Sequence, residues 1–163
     1  MKRMSVVAML LWAGCGAVTP QGMIPGTYSG TLYCDWSFET SDGQVITEQT
    51  DERIDVELDA QGRIVVDGSP VEVGDRFVAT SDMDRLTLVV QEVLSLSSVI
   101  AIAYDTEGAL ADGTEIEGIR SEEYHLTPPD KILYLIESSS LGVNEGEGFA
   151  DFLTRDCEAF LTP

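Results

Sequence analysis

The stretch Gly26-Thr27-Tyr28-Ser29-Gly30-Thr31-Leu32-Tyr33-Cys34-Asp35-Trp36-Ser37-Phe38 alternates apolar and polar residues more cleanly than any other part of the chain. Tyr28, Leu32, Cys34, Trp36 and Phe38 fall on one parity, and Ser29, Thr31, Asp35 and Ser37 on the other. Successive side chains leave a strand on opposite faces, so a period of two predicts a half-buried β-strand. The load of Tyr, Trp, Phe and Thr agrees with it. This reading puts Cys34 on the buried face and starts the folded domain at Gly26.

Downstream, turn chemistry recurs at short intervals: Ser41-Asp42-Gly43, Asp59-Ala60-Gln61-Gly62, Asp67-Gly68 and Gly74-Asp75. Asp-Gly and Gly-Asp pairs tolerate the positive φ that tight hairpins require. They delimit predicted strands at 44–58, 63–66, 71–73 and 77–79. The run 86–104 is the most apolar after residue 25. Leu86, Val89, Val90, Val93 and Leu94 would suit a helix capped by Ser81 and Asp84. The β-branched Val89, Val90, Val99, Ile100 and Ile102 favour two strands with a break at 95–98. Residues 105–113 read as an acidic connection and 114–127 as a strand ended by Pro128 and Pro129, which cannot serve a central ladder. Then come a strand at 131–137, a Ser/Gly/Glu loop at 138–148, and a last strand to Arg155 with a short tail. About eight to ten strands on local turns with no long helical crossover predict an all-β antiparallel meander. An up-and-down barrel removes the exposed edges of so long a sheet; a β-sandwich is the alternative.

A chain of 163 residues fits one domain, and 44% hydrophobic with 23% charged residues is a globular composition. The formal charge of -20 excludes non-specific binding to nucleic acid or to an anionic lipid surface, both of which need a cationic face.

Lys2 and Arg3 precede a short apolar run at 6–11 with Trp12 and Ala13, too short to span a bilayer, which reads as an export signal. Leu11-Trp12-Ala13-Gly14-Cys15 resembles the lipobox of bacterial lipoproteins. The resemblance implies that residues 1–14 are a signal peptide and that Cys15 is lipidated as the mature N-terminus. Residues 15–25, with Thr19-Pro20 and Ile24-Pro25, form a flexible tether, and 26–163 a single all-β domain. Gly16, not being a retention residue, implies sorting to the outer membrane. An ordinary secretory signal cut near Ala17, giving a secreted or periplasmic protein, is the alternative. Either route leads to an oxidising compartment, where Cys15 is taken by the lipid or lost with the signal. Cys34 and Cys157 then remain to pair.

Gly26-Thr27-Tyr28 resembles the Gly-x-Trp opening of lipocalin-like barrels, with Tyr28 in the tryptophan's place, and Thr154-Arg155 is similar to the arginine that packs across that aromatic. The resemblance implies a barrel with Tyr28 and Arg155 as a packing pair.

Chemistry is sparse. The single histidine, His125, lies between Tyr124 and Leu126 with no nucleophile elbow in the chain, so no catalytic residues are assigned and binding is expected rather than catalysis. One histidine and no spare thiols give no zinc or copper set. Asp105-Thr106-Glu107-Gly108 with Asp112-Gly113-Thr114-Glu115 is the best oxygen cluster for Ca²⁺, but it lacks EF-hand spacing and reads as solvated loop. No Gly-rich phosphate loop is present, and no cofactor is expected. The partners expected are the membrane, through the lipid, and either a small apolar ligand held in the barrel or, for a filled core, another envelope protein.

Overall fold

Strand β1 (Gly26–Glu39) runs for fourteen residues and buries Tyr28, Leu32, Cys34 and Trp36 on one face while Tyr33 and Asp35 stay exposed. In the computed structural model, which describes residues 22–40, 43–80, 84–110, 115–143 and 150–163, the other elements are β2 (Val45–Leu58), β3 (Ile64–Val66), β4 (Ser69–Pro70), β5 (Arg76–Thr80), β6 (Asp84–Ser95), β7 (Val99–Leu110), β8 (Glu115–Thr127), β9 (Lys131–Val143) and β10 (Ala150–Leu161). The expected signal segment with Cys15, most of the tether, Ser81 of the alternative helix cap and residues 112–114 of the acidic cluster lie outside the described residues.

The described residues contain no helix. Their strands form one antiparallel sheet in the order β4-β3-β2-β1-β10-β9-β8-β7-β6-β5, curled into a half-barrel. The first and last long strands are therefore neighbours, in register from Leu32 opposite Ala159 to Glu39 opposite Phe152. Cys34 faces Cys157 in that ladder, with Cα atoms 4.1 Å apart, and the two are bonded across 123 residues of chain.

The curl stops short of closure between β4 and β5, which are the sheet's edges. The intervening residues stitch the gap at one end only. Val71 N donates to Ile64 O on one side, while Gly74 N donates to Val90 O and Val90 N to Asp75 O on the other. At this end Tyr28, Leu58, Ile100, Ile132 and Leu161 are almost wholly buried, and the Tyr28 hydroxyl donates to Ile24 O at 2.6 Å. Towards the other end β2 loses its second neighbour, because β3 pairs only with Glu57 and Leu58. Residues 45–53 are accordingly exposed on both faces.

Several strands outrun their expected bounds. β7 continues through the acidic residues to Leu110, β9 through three serines to Val143, and β10 to Leu161, whereas 71–73 belongs to the stitching turn. Composition misleads here because small residues are what the curl demands. Gly118 on β8 lies so close to β9 that a Cβ would strike Ser139 O and the Cα and Oγ of Ser140. Serine in a strand meets that close approach where a large side chain cannot.

Candidate functional site

The register places inward-facing side chains in rows across the sheet. One row reads Trp36 (β1), Arg155 (β10), Ser138 (β9), Arg120 (β8) and Tyr104 (β7). The next, towards the stitched end, reads Cys34, Cys157, Ile136, Glu122 and Ile102, and the one after it Leu32, Ala159, Tyr134, Tyr124 and Ile100. From these rows Leu32, Trp36, Arg120, Glu122, Tyr124, Tyr134, Ile136 and Arg155 line a cavity of about 780 Å³ that opens beside the unpaired edge of β2. Its apolar lining includes Leu32, Ile54, Val56 and Ile64 towards the stitched end and Leu86 beyond the arginine row. Its polar lining includes Trp36, Arg120, Glu122, Tyr124, Tyr134 and Arg155.

Glu122 is the centre of a buried network. Its Oε1 accepts from Arg120 Nη2 at 2.6 Å. Its Oε2 accepts from the Tyr124 hydroxyl at 2.6 Å and from the Tyr104 hydroxyl at 3.2 Å. Tyr134 stacks on Tyr124 with ring centroids 4.6 Å apart and makes side-chain hydrogen bonds with Tyr124 and Arg120. Burial works against a charged Arg120, and the carboxylate of Glu122 more than reverses it, so the guanidinium is held above its already high ordinary pKa. Among the described residues two buried polar atoms, Arg120 Nε and Thr106 Oγ1, have no hydrogen-bond partner, an exception in a native interior.

Arg155 makes a different set of contacts. Its guanidinium lies over the Trp36 ring at 4.4 Å, its Nε reaches Cys157 Sγ at 3.1 Å and its Nη2 reaches Cys34 Sγ at 3.4 Å, with Glu52 Oε1 at 3.5 Å on the rim. The indole Nε1 of Trp36 donates to Thr50 Oγ1 at 3.0 Å, which fixes the ring the arginine rests on. The aromatic under Arg155 is thus its register partner Trp36. Tyr28, expected in that place, sits eight residues along β1, at the stitched end.

Of the residues singled out from the sequence, Cys34 and Cys157 come together beneath Arg155, which lines the cavity, and Tyr28 belongs to the core. His125 lies on the outer face of β8 with Nε2 2.8 Å from Glu123 Oε2. Among the described residues no three His, Cys, Asp or Glu side chains converge on a metal-sized site. The network of Arg120, Glu122, Tyr104, Tyr124 and Tyr134 was missed. Its signal was present: Arg120 and Glu122 share the parity of Ile116, Tyr124 and Leu126, polar residues on the apolar side of a strand.

The phenols titrate with the fold. Burial first, and then the Glu122 carboxylate, pushes Tyr104, Tyr124 and Tyr134 well above the ordinary phenol range. A raised folded pKa means stability that is complete below the unfolded value near 10 and is lost as pH rises from there towards the folded values. Spectrophotometric titration at 295 nm is expected to show these three phenols ionising only as near-ultraviolet dichroism collapses. Their ionisation below pH 10 in the folded protein would contradict the network.

No family model, curated protein or solved structure matches the chain.

Proposed function

We propose that the protein is an envelope-anchored binding module that carries a small apolar ligand or lipid in the interior of its curled sheet. The observation that carries this reading is the cavity of about 780 Å³. Its size is within the range of small-molecule pockets, and its wall combines apolar side chains with a few convergent polar groups, the arrangement that holds and orients such ligands. The basic start, short apolar run and Ala13-Gly14-Cys15 support export and lipidation at Cys15, with the outer membrane as the destination. Gly26, the start of β1, follows the proposed tether directly, and the Ser29 to Thr162 bridge keeps the start of β1 beside the end of β10 at the stitched end. A lipid at Cys15 would therefore anchor the protein from the end away from the open part of the cavity.

One preparation tests both halves. The full chain, expressed in a Gram-negative host fed a labelled fatty acid and extracted from the envelope, is expected to carry label that Cys15→Ser abolishes. Native mass spectrometry of that material is expected to show a second, non-covalent mass. Absence of label would remove the lipoprotein reading. A clean apo mass with no uptake from a lipid extract would remove the carrier reading and leave a scaffold.

A further inference from the structure

We infer that the free edge of β2 is a docking strand, which takes an extended cationic segment of a partner protein as one more strand of the sheet beside the mouth of the cavity.

Hydrogen bonds at its two ends identify the edge. In an antiparallel ladder, residues whose N–H and C=O turn to one neighbouring strand alternate with residues whose groups turn to the other side. Thr40 N donates to Gln44 O just before β2, and Asp59 N donates to Arg63 O just after it. In the registers of β2 with β1 and with β3, the even-numbered residues of β2 therefore bond β1 and the odd-numbered ones face away from it. β3 meets only Glu57 and Leu58. Among the described residues, no strand pairs with the outward N–H and C=O of Val45, Thr47, Gln49, Asp51 and Arg53.

Natural sheet edges are blunted by shortness, by proline, by bulges or by a cover. The terminal strands of this sheet follow that rule: β4 has two residues, one of them Pro70, and β5 has five. β2 does not. It runs for fourteen residues without proline, and its register with β1 is unbroken from Gly26 opposite Leu58 to Glu39 opposite Val45. An open edge of this length is a template for strand addition, in which main-chain hydrogen bonds supply affinity and side chains select the partner.

Charge sets the selection. Glu48, Asp51, Glu52 and Asp55 line the cavity where it opens, and Arg53 is the single base of β2. A second copy of the chain would set the same acids against these, on top of a formal charge of -20 on each molecule, and like charges across a ladder are destabilising. Lysine or arginine side chains on an added strand meet the carboxylates instead. Val45 and Ile46, 61% and 55% exposed, offer that strand an apolar contact at the open end. The inference goes beyond the carrier reading and does not rest on it, because the pairing groups are those of the β2 backbone.

Hydrogen exchange of the purified full chain, followed by NMR, tests the edge directly. The probe is a peptide of about nine residues, alternating lysine and valine, which matches the length of 45–53. The solution holds about 0.15 M salt, which screens attraction between distant exposed charges. In the free protein the amides of Thr47, Gln49, Asp51 and Arg53 are expected to exchange fast, and those of Glu48, Thr50 and Glu52 slowly. The peptide is expected to slow the fast set by about 10-fold or more, and its glutamate and valine counterpart to leave it unchanged. Thr47→Pro and Gln49→Pro each remove an outward donor while keeping the charge and the ladder to β1. Each should weaken binding of the lysine peptide by about 10-fold in calorimetric titration, with near-ultraviolet dichroism unchanged. No binding overturns the docking strand. Binding without the protection, or undiminished by both prolines, is charge attraction alone and overturns it as well. Equal protection by the glutamate peptide overturns the cationic partner, and protection that rises with protein concentration in the absence of peptide makes a second copy the occupant.

Discussion

Replacing Cys34 and Cys157 together by alanine is expected to lower the unfolding free energy by about 4–5 kcal/mol, the chain-entropy value for a loop of 123 residues. Few single features of a domain this size are worth so much against a total of about 5–15 kcal/mol. The bridge ties β1 to β10, and among the described residues that ladder is the only strand pairing between the arm β4-β3-β2-β1 and the arm β10-β9-β8-β7-β6-β5. Loss of the bond also releases Arg155, whose guanidinium touches both sulfurs and rests on Trp36. Urea unfolding of wild type and double variant, at matched m-values, gives the difference. A shift below about 1 kcal/mol would mean that the arms are held by the ladder alone.

Glu122→Leu is expected to cost about 3–5 kcal/mol, because it strands Arg120 inside the sheet. The guanidinium cannot escape by losing its proton, and the hydroxyls of Tyr104 and Tyr124 lose their acceptor at the same time. Arg120→Met combined with Glu122→Leu removes both charges and is expected to recover most of the loss, since an apolar pair of similar volume is often as stable as a buried ion pair. Thermal and urea unfolding of wild type, the single variant and the double variant closes the comparison. If the double variant is no more stable than Glu122→Leu, the pair is not the source of the cost. Either outcome bears on the cavity, because the network forms its wall on β8 and β9.

The local grammar of the chain was legible. The alternation of 26–38 gave β1 with the expected residues inward, and Asp67-Gly68 turns β3 into β4 with φ of 51° and 79°, the two positive values a tight hairpin needs. The antiparallel meander, the adjacency of β1 and β10 and the Cys34 to Cys157 bridge also followed from sequence patterns. Strand extents did not. Ser138, Ser139 and Ser140 carry loop composition, and only the approach of Gly118 from the next strand makes small residues correct there. The site was hidden for a related reason. Alternation within one strand tells which face a residue takes, but the row Trp36, Arg155, Ser138, Arg120 joins four strands far apart in sequence. Only the register brings those residues together, and it moved the expected partner of Arg155 from Tyr28 to Trp36.

The order β4-β3-β2-β1-β10-β9-β8-β7-β6-β5 has the last-made strand in the middle. A growing chain can form the β1 and β2 hairpin and the run from β5 to β9 from local contacts, yet neither arm can meet the other until residues 150–161 have emerged. The joining step pairs segments more than 100 residues apart, the kind of contact that slows folding because the loop must close before any pairing rewards it. Both arms meanwhile expose the edges that β10 will cover, so assembly of this sheet is a race between its final strand and association with other chains.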